Sequence, residues 1–431
     1  MAPLKKEEID RIAERVVSLL NKENIQDNIV SNIGNGIFTS IDSAVKAAAI
    51  AQKKFVNLPL EQRGEIISNI RKEMLNYAEE LAKMAWDETG MGRLEDKVQK
   101  NRLVINKTPG TEILKPDAYS GDHGLTLMEL APHGVIGSIT PSTNPTSTII
   151  CNTIGMIAAG NSVVFNAHPN AKKVSIYNIQ LLNKAITEAG GPENVVTTVE
   201  SPTIQTASEL MKHPGINLLV VTGGEAVVKA AMESGKRAIC AGPGNPPVVV
   251  DETADIENAA KCIVKGASLD NNIICVLEKE IFAVESIADQ LLDAFSRNNA
   301  VVLSEEQIRK LDKVLFTEQK GPGKPGVINK NYIGKNIQVI LKEIGMDVSP
   351  DIRMAVAPVK EDHPLVWTEQ LLPVIPLVRV PDVDYGIDIA VKAEHGFRHT
   401  AIMHSRNIDK LSRMAKEINC SIFVKNGPSV A

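Results

Sequence analysis

The sequence predicts an α/β chain built on parallel sheets, and three observations carry that expectation. From residue 134 onward, short and nearly continuous apolar runs alternate with stretches of helical period. Strands that crossover helices cover on both faces read in this way. The chain has 431 residues, 43% of them apolar, which allows two to three domains with sizeable cores. Its 29 glycines and 23 prolines are dispersed, which excludes collagen-like and low-complexity chains.

Charge and composition narrow the partners. Lys and Arg total 47 against 52 Asp and Glu, for a net charge of −5, and there are only two Trp, five Tyr and eight Phe. A nucleic-acid-binding surface needs a basic footprint and stacking platforms, so no nucleic acid is expected. No apolar run reaches 18 residues and the first residues alternate in charge, so neither a membrane span nor a signal core is expected and the location is read as cytoplasmic. Five cysteines with no C-x-x-C pair suggest neither a disulfide framework nor a zinc knuckle. His395, His399 and His404 come nearest to a cluster, with Gly396 interrupting any shared helical face, and no metal site is expected.

In chain order, residues 5–21 place Ile9, Ile12, Val16, Leu19 and Leu20 at spacings of three and four, the pattern of an amphipathic helix. A polar stretch at 22–36 reads as a linker. Helical periodicity follows from 41 to 108. LTLMEL (125–130) reads as one half of a strand pair of the kind used in subunit contacts. Strands are expected at 134–140, 162–166, 195–199, 216–222 and 236–240, with helices at 146–159, 171–188, 203–212 and 225–234 between them. After PGNPP a second alternating series begins: PVVVD, a helix at 255–267, IFAV, a helix at 286–297, VIPLVRV and finally SIFVKN (421–426).

Four motifs carry chemistry. Gly321-Pro-Gly-Lys-Pro-Gly326 is the literal G-x-G-x-x-G, but it follows no strand and its prolines remove backbone donors, so it is a loop. Thr222-Gly223-Gly224 sits at a strand end before a helix, where it suits either an anionic ligand or a tight turn. Cys275, preceded by Asp270, Asn271 and Asn272, lies in a polar turn; it is either a nucleophile or an inert structural thiol. Asn144, in Pro141-Ser142-Thr143-Asn144-Pro145, is either an oxyanion donor or a turn-and-cap residue.

Taken in order, ITPSTNP, AAGNSVVFNAHP, VVTGGEAVV, AGPGNPPVVVD, DNNIICVLEKE and WTEQLLPVIPLVRV resemble the aldehyde dehydrogenases of the CoA-acylating type, above all the propionaldehyde and acetaldehyde dehydrogenases of bacterial microcompartments. The likeness runs from about residue 36 to the end. It implies a Rossmann-like cofactor domain (37–114 and 133–240), a small oligomerisation element (115–132), a second α/β catalytic domain (241–426) and a short tail (427–431). It implies Cys275 as nucleophile and Asn144 as oxyanion donor. It also implies a cofactor set of Thr140, Pro141, Ser142, Asn166, His168, Thr222, Gly223, Gly224 and Val227, with Glu369 on the nicotinamide ribose.

The departures from the hydrolytic members are informative. Those carry a water-activating glutamate where this chain reads Cys240-Ala241-Gly242-Pro243-Gly244-Asn245. A thioacyl enzyme without a base for water persists until a thiol arrives, and a thiol is nucleophilic enough without one. Asn166 and Pro169 stand where many hydrolytic members hold the adenosine ribose with lysine and glutamate. Glu278, three residues past Cys275, reads as a surface or salt-bridged acid before a base.

The expected activity is therefore oxidation of a short-chain aldehyde, with propionaldehyde favoured, to its acyl-CoA with reduction of NAD. A hydrolytic dehydrogenase and an inactive, truncated microcompartment component are the alternatives. Residues 1–21 are implied to be an encapsulation peptide for a microcompartment shell or cargo protein. Members continue past the SIFVKN strand into a segment that joins a neighbouring subunit, so a homo-oligomer is expected where such a tail is present.

Overall fold

The computed structural model describes residues 32–430. The helix expected at 5–21 lies outside them.

Two seven-stranded sheets organise the chain. The first runs, edge to edge, Asn32–Gly34, Ile37–Phe38, Val196–Val199, Ser162–Asn166, Val135–Ile139, Leu218–Thr222 and Ala238–Ala241. Only the first two strands pair antiparallel. All five residues of Val135–Ile139 and of Ser162–Asn166 are buried, as strands covered on both faces should be. The region of helical period resolves into helices Ile41–Phe55, Leu60–Asn76, Ala78–Thr89 and Leu94–Lys107. Ser40 caps the first, its hydroxyl accepting the Ser43 N–H at 3.2 Å, and left-handed Gly90 ends the third.

The second sheet runs Ala300–Val302, Met354–Val359, Val374–Val380, Glu280–Val284, Pro247–Val250, Thr400–His404 and Ile422–Lys425, parallel throughout. Three of these, Ala300–Val302, Met354–Val359 and Thr400–His404, escape the periodicity reading. The first is three residues long, the second contains Pro358 and the third ends on His404, so none presents a clean apolar run. The loop around Gly321–Gly326 joins the short antiparallel strands Phe316–Glu318 and Val327–Ile328. LTLMEL finds its partner in Asp117–Gly121, which pairs with Gly124–Met128 as a hairpin.

In the first sheet the strands at 162–166 and 196–199 lie to one side of Val135–Ile139, and those at 218–222 and 238–241 to the other. The order reverses at Val135–Ile139. Ligands of open α/β sheets bind where the loops leaving two adjacent strands diverge in this way, and those loops here begin at Thr140 and Thr222.

Candidate active site

The site is assembled from opposite ends of the two sheets. The first sheet contributes the carboxyl ends of its strands. Thr140 is buried and its hydroxyl has no partner, while Pro141 and Ser142 are half-buried beside it. Asn144 precedes helix Pro145–Ala158 in the capping position, yet its side chain makes no capping bond. Its Oδ1 accepts from Lys100 Nζ at 2.6 Å and its Nδ2 donates to Thr143 Oγ1 at 3.1 Å. The turn-and-cap role open in the sequence is not the one its side chain takes.

Across the switch, Gly224 starts helix Glu225–Met232. A Cβ there would meet nothing within 4 Å, whereas one on Gly223 would meet Val227 Cγ1 at 2.6 Å. Gly223 is thus required by helix packing and Gly224 faces open space at a helix N-terminus. Asn166 is buried, and its amide is spent internally: Oδ1 accepts from Thr206 Oγ1 at 2.6 Å and Nδ2 donates to the Thr203 carbonyl at 3.3 Å. His168, exposed, uses Nδ1 to accept the Asn170 N–H at 3.1 Å.

The second sheet contributes the amino ends of its strands. Gly244 and Asn245 precede Pro247–Val250, Glu278 and Lys279 precede Glu280–Val284, Glu369 and Gln370 precede Val374–Val380, and His399 precedes Thr400–His404. Cys275 lies in the turn ahead of the second of these. The chain approaches it through Asp270, Asn271 and Asn272 at φ of 46°, 55° and 66°, three consecutive left-handed residues whose strain the surroundings must hold. Asn271 Oδ1 accepts from Arg93 Nε at 2.7 Å, and Asn272 Nδ2 donates to the Ala267 and Glu278 carbonyls at 2.7 and 2.9 Å.

Lys279 closes this turn from beneath. It is fully buried, and its ammonium donates to the Asn272 carbonyl at 2.8 Å, to the Asn272 side-chain oxygen and to the Ile274 carbonyl at 3.4 Å. Gly244 closes the turn from the side: a Cβ there would lie 2.6 Å from the Cys275 carbonyl oxygen and 3.2 Å from the His399 ring. The Gly244 N–H donates to Glu369 Oε1 at 3.1 Å.

The charges set the thiol. Burial pushes the Cys275 pKa above that of an ordinary thiol; Glu369 adds to the rise and Lys279 opposes it. Burial lowers Lys279 to about 8, with Glu369 the main opposing charge. Burial raises Glu369, with Lys279 opposing. A thiol with a raised pKa holds little thiolate at neutral pH, and that fraction grows about tenfold per pH unit below the pKa. Iodoacetamide labelling of Cys275, read by peptide mass spectrometry, is therefore expected to rise without a plateau through pH 9. Lys279→Gln should slow labelling below about pH 8, where the lysine is charged; equal rates there would remove the lysine from the account.

Glu278 is not the surface or salt-bridged acid that the sequence suggested. It is fully buried, raised by burial to about 7, and accepts the Ser429 N–H at 2.9 Å and hydroxyl at 2.6 Å. Its carboxyl is thereby turned to Ser429. Asn245, in the stretch without a carboxylate, donates from Nδ2 to the Val366 and Ala393 carbonyls at 3.0 and 2.9 Å and braces the loop.

Cys275, Glu369 and Lys279 thus share one electrostatic environment, with Gly244 and His399 against the nucleophile turn. Sequence reasoning passed over Lys279, Lys97 and Lys100, and named Gly244 and His399 without giving either a place at this turn. One signal was available: Glu278-Lys279-Glu280 is a run of three charges directly before a wholly apolar strand, and charges are rarely buried unless they serve neighbouring groups.

Comparison with known proteins agrees in sequence and in fold. The profile described as Aldehyde dehydrogenase family matches residues 18–309. The acetaldehyde dehydrogenase (acetylating) EutE of Escherichia coli K12 is 48% identical over 429 residues, covering 99% of this chain and 91% of the relative. A Rhodopseudomonas palustris propionaldehyde dehydrogenase, solved with bound CoA and an acylated cysteine, superposes with a TM-score of 0.88 at 48% identity, over 92% of this chain and 90% of that one. The propionaldehyde dehydrogenase of the Clostridium phytofermentans fucose utilisation bacterial microcompartment also gives 0.88, at 45% identity over 91% of this chain and 89% of that one.

Proposed function

Because this chain belongs to the aldehyde dehydrogenase family, we infer that it oxidises a short-chain aldehyde such as propionaldehyde to the acyl-CoA while reducing a nicotinamide dinucleotide. The observation that carries the reading is the position of Cys275, a partly buried thiol in a braced turn that feels the charges of Lys279 and Glu369. The relative with an acylated cysteine and bound CoA supports it.

The residues at the switch point fit a dinucleotide: a buried hydroxyl without a partner on Thr140, open space at Gly224 and a helix N-terminus beyond it. Thr140, Pro141, Ser142, Thr222, Gly223, Gly224 and Val227 line it in this proposal, with Glu369 toward the ribose. Asn166, bonded to Thr206 and the Thr203 carbonyl, and His168, bonded to the Asn170 N–H, stand at the same end of the sheet in this proposal. When bound, the nicotinamide supplies the hydride acceptor.

The chain's own part in this proposal is as follows. The Cys275 thiolate adds to the aldehyde carbonyl, forming a carbon–sulfur bond and an alkoxide. The Asn144 amide and the Cys275 backbone N–H donate to that alkoxide. Its collapse re-forms the carbonyl as the C–H bond breaks, leaving a thioester on Cys275. The thiol of CoA then adds to the thioester carbonyl, the Cys275–carbon bond breaks, and the proton from CoA passes to the cysteine sulfur. Glu278 spends both carboxyl oxygens on Ser429 and the stretch from Cys240 to Asn245 carries no carboxylate, which supports the thiol over water as acyl acceptor. The assay that tests this is NADH formation from propionaldehyde with and without CoA. Sustained turnover should require CoA; sustained turnover without it would make the enzyme hydrolytic.

The exposed apolar face of the hairpin, with Leu125, Leu127 and Leu130 72%, 60% and 78% exposed, supports a homo-oligomer built through that element. The microcompartment origin of the relative above supports residues 1–21 as a docking segment for shell or cargo. Loss of shell association on their removal, with turnover unchanged, is the expected result.

A further inference from the structure

Lys97, Lys100 and Asp270 form a buried cluster behind the reacting groups. Their side chains are 2%, 10% and 0% exposed. Asp270 Oδ2 accepts from Lys100 Nζ at 2.5 Å and from Lys97 Nζ at 3.2 Å, and Oδ1 accepts the Arg93 N–H at 2.8 Å. One carboxylate thus faces two ammonium groups. Burying such a set costs more than its attractions reliably return, so stability is a weak explanation for it.

The remaining contact of Lys100 points to its use. The same ammonium donates to Asn144 Oδ1 at 2.6 Å. An ammonium has no acceptor, so it fixes which end of the amide is oxygen and turns Nδ2 the other way. There Nδ2 spends one proton on Thr143 Oγ1 and keeps a second. A charge so close to the amide oxygen also polarises its N–H groups, which strengthens a bond to a developing anion.

Asn144 belongs to the first sheet's loops, and Asp270 opens the left-handed run that leads to Cys275. Arg93, Lys97 and Lys100 come from helix Leu94–Lys107 and the residue before it. We propose that Lys100 is a positioning residue: by bridging Asn144 to Asp270 it aims the oxyanion donor and locks that donor to the loop carrying the nucleophile. This rests on the roles given above to Asn144 and Cys275.

A double-mutant cycle tests it. Lys100→Met should lower kcat for CoA-dependent NADH formation roughly 10- to 100-fold, the range of a misdirected oxyanion donor. KM for NAD and the alkylation rate of Cys275 should stay within about twofold. Lys100→Arg, which keeps the charge and a donor, should recover part of the loss. In an Asn144→Ala background, Lys100→Met should cost nothing further. Equal losses in both backgrounds, or wild-type kcat in Lys100→Met, would overturn the proposal alone. Asn144→Ala at wild-type rate would overturn it together with the assignment of the oxyanion donor. Where thermal melting shows Lys100→Met unfolded, Lys100→Gln takes its place in the same cycle.

Discussion

Cys275→Ala is expected to abolish NADH formation from propionaldehyde, with a loss of at least about 10⁴-fold, the scale on which removal of a covalent nucleophile acts. The wild type without CoA should release NADH equal to its active sites and then stop, because the thioester on Cys275 has no thiol to receive the acyl group. Rapid-mixing absorbance at the NADH band reads both results, and adding CoA should restart the wild type only. Folding is not at issue in the variant: Cys275 is partly buried in a turn outside the sheets and helices, so its melting temperature should change little. A variant that still gave the stoichiometric burst would move the nucleophile to another thiol. Cys151, Cys240, Cys262 and Cys420 are the others.

Gly244→Ala is expected to lower kcat about 10²-fold and to cost about 1–3 kcal/mol of stability. The added methyl would lie 2.6 Å from the Cys275 carbonyl oxygen, a backbone atom, and 3.2 Å from the His399 ring. The ring can turn aside, but the carbonyl cannot move without its turn. A displacement of a few tenths of an ångström there shifts the nucleophile relative to Asn144, and misplacements of about 1 Å cost about that factor in rate. The second consequence is electrical. The Gly244 N–H donates to Glu369, so moving this backbone weakens a bond that favours the charged carboxylate and alters the balance around the thiol. Alkylation of Cys275 should therefore change along with kcat. A loss of kcat with unchanged alkylation would place the damage at substrate binding instead.

The two sheets were largely legible in the sequence because buried parallel strands must be apolar throughout. VVFN, LLVVT and PVVVD announce themselves for that reason. Strands that carry Pro358 or His404 lose the signal. The hairpin partner Asp117–Gly121 is exposed along its whole length, and an exposed pair has no apolar alternation to read. Cys275 and Asn144 were legible only as alternatives, since a thiol in a turn and an Asn before Pro each have a commoner use. The motifs in sequence order favoured the catalytic reading through resemblance, and the geometry then showed that Asn144 does not cap its helix.

The sequence by itself determined the fold class, the two alternating series, the family and the absence of any acid between Cys240 and Asn245. The tertiary structure decided which charges stand around the nucleophile. The first sheet turns the carboxyl ends of its strands to the site, the ends at which open α/β sheets bind ligands, whereas the second presents its amino ends. Glu369 and Lys279 therefore reach Cys275 from the starts of two different strands, and Lys97 and Lys100 reach Asp270 from a helix some 170 residues earlier in the chain. Such contacts leave no periodic trace. Electrostatic energy depends on distance and burial in space, and neither is a function of separation along the chain.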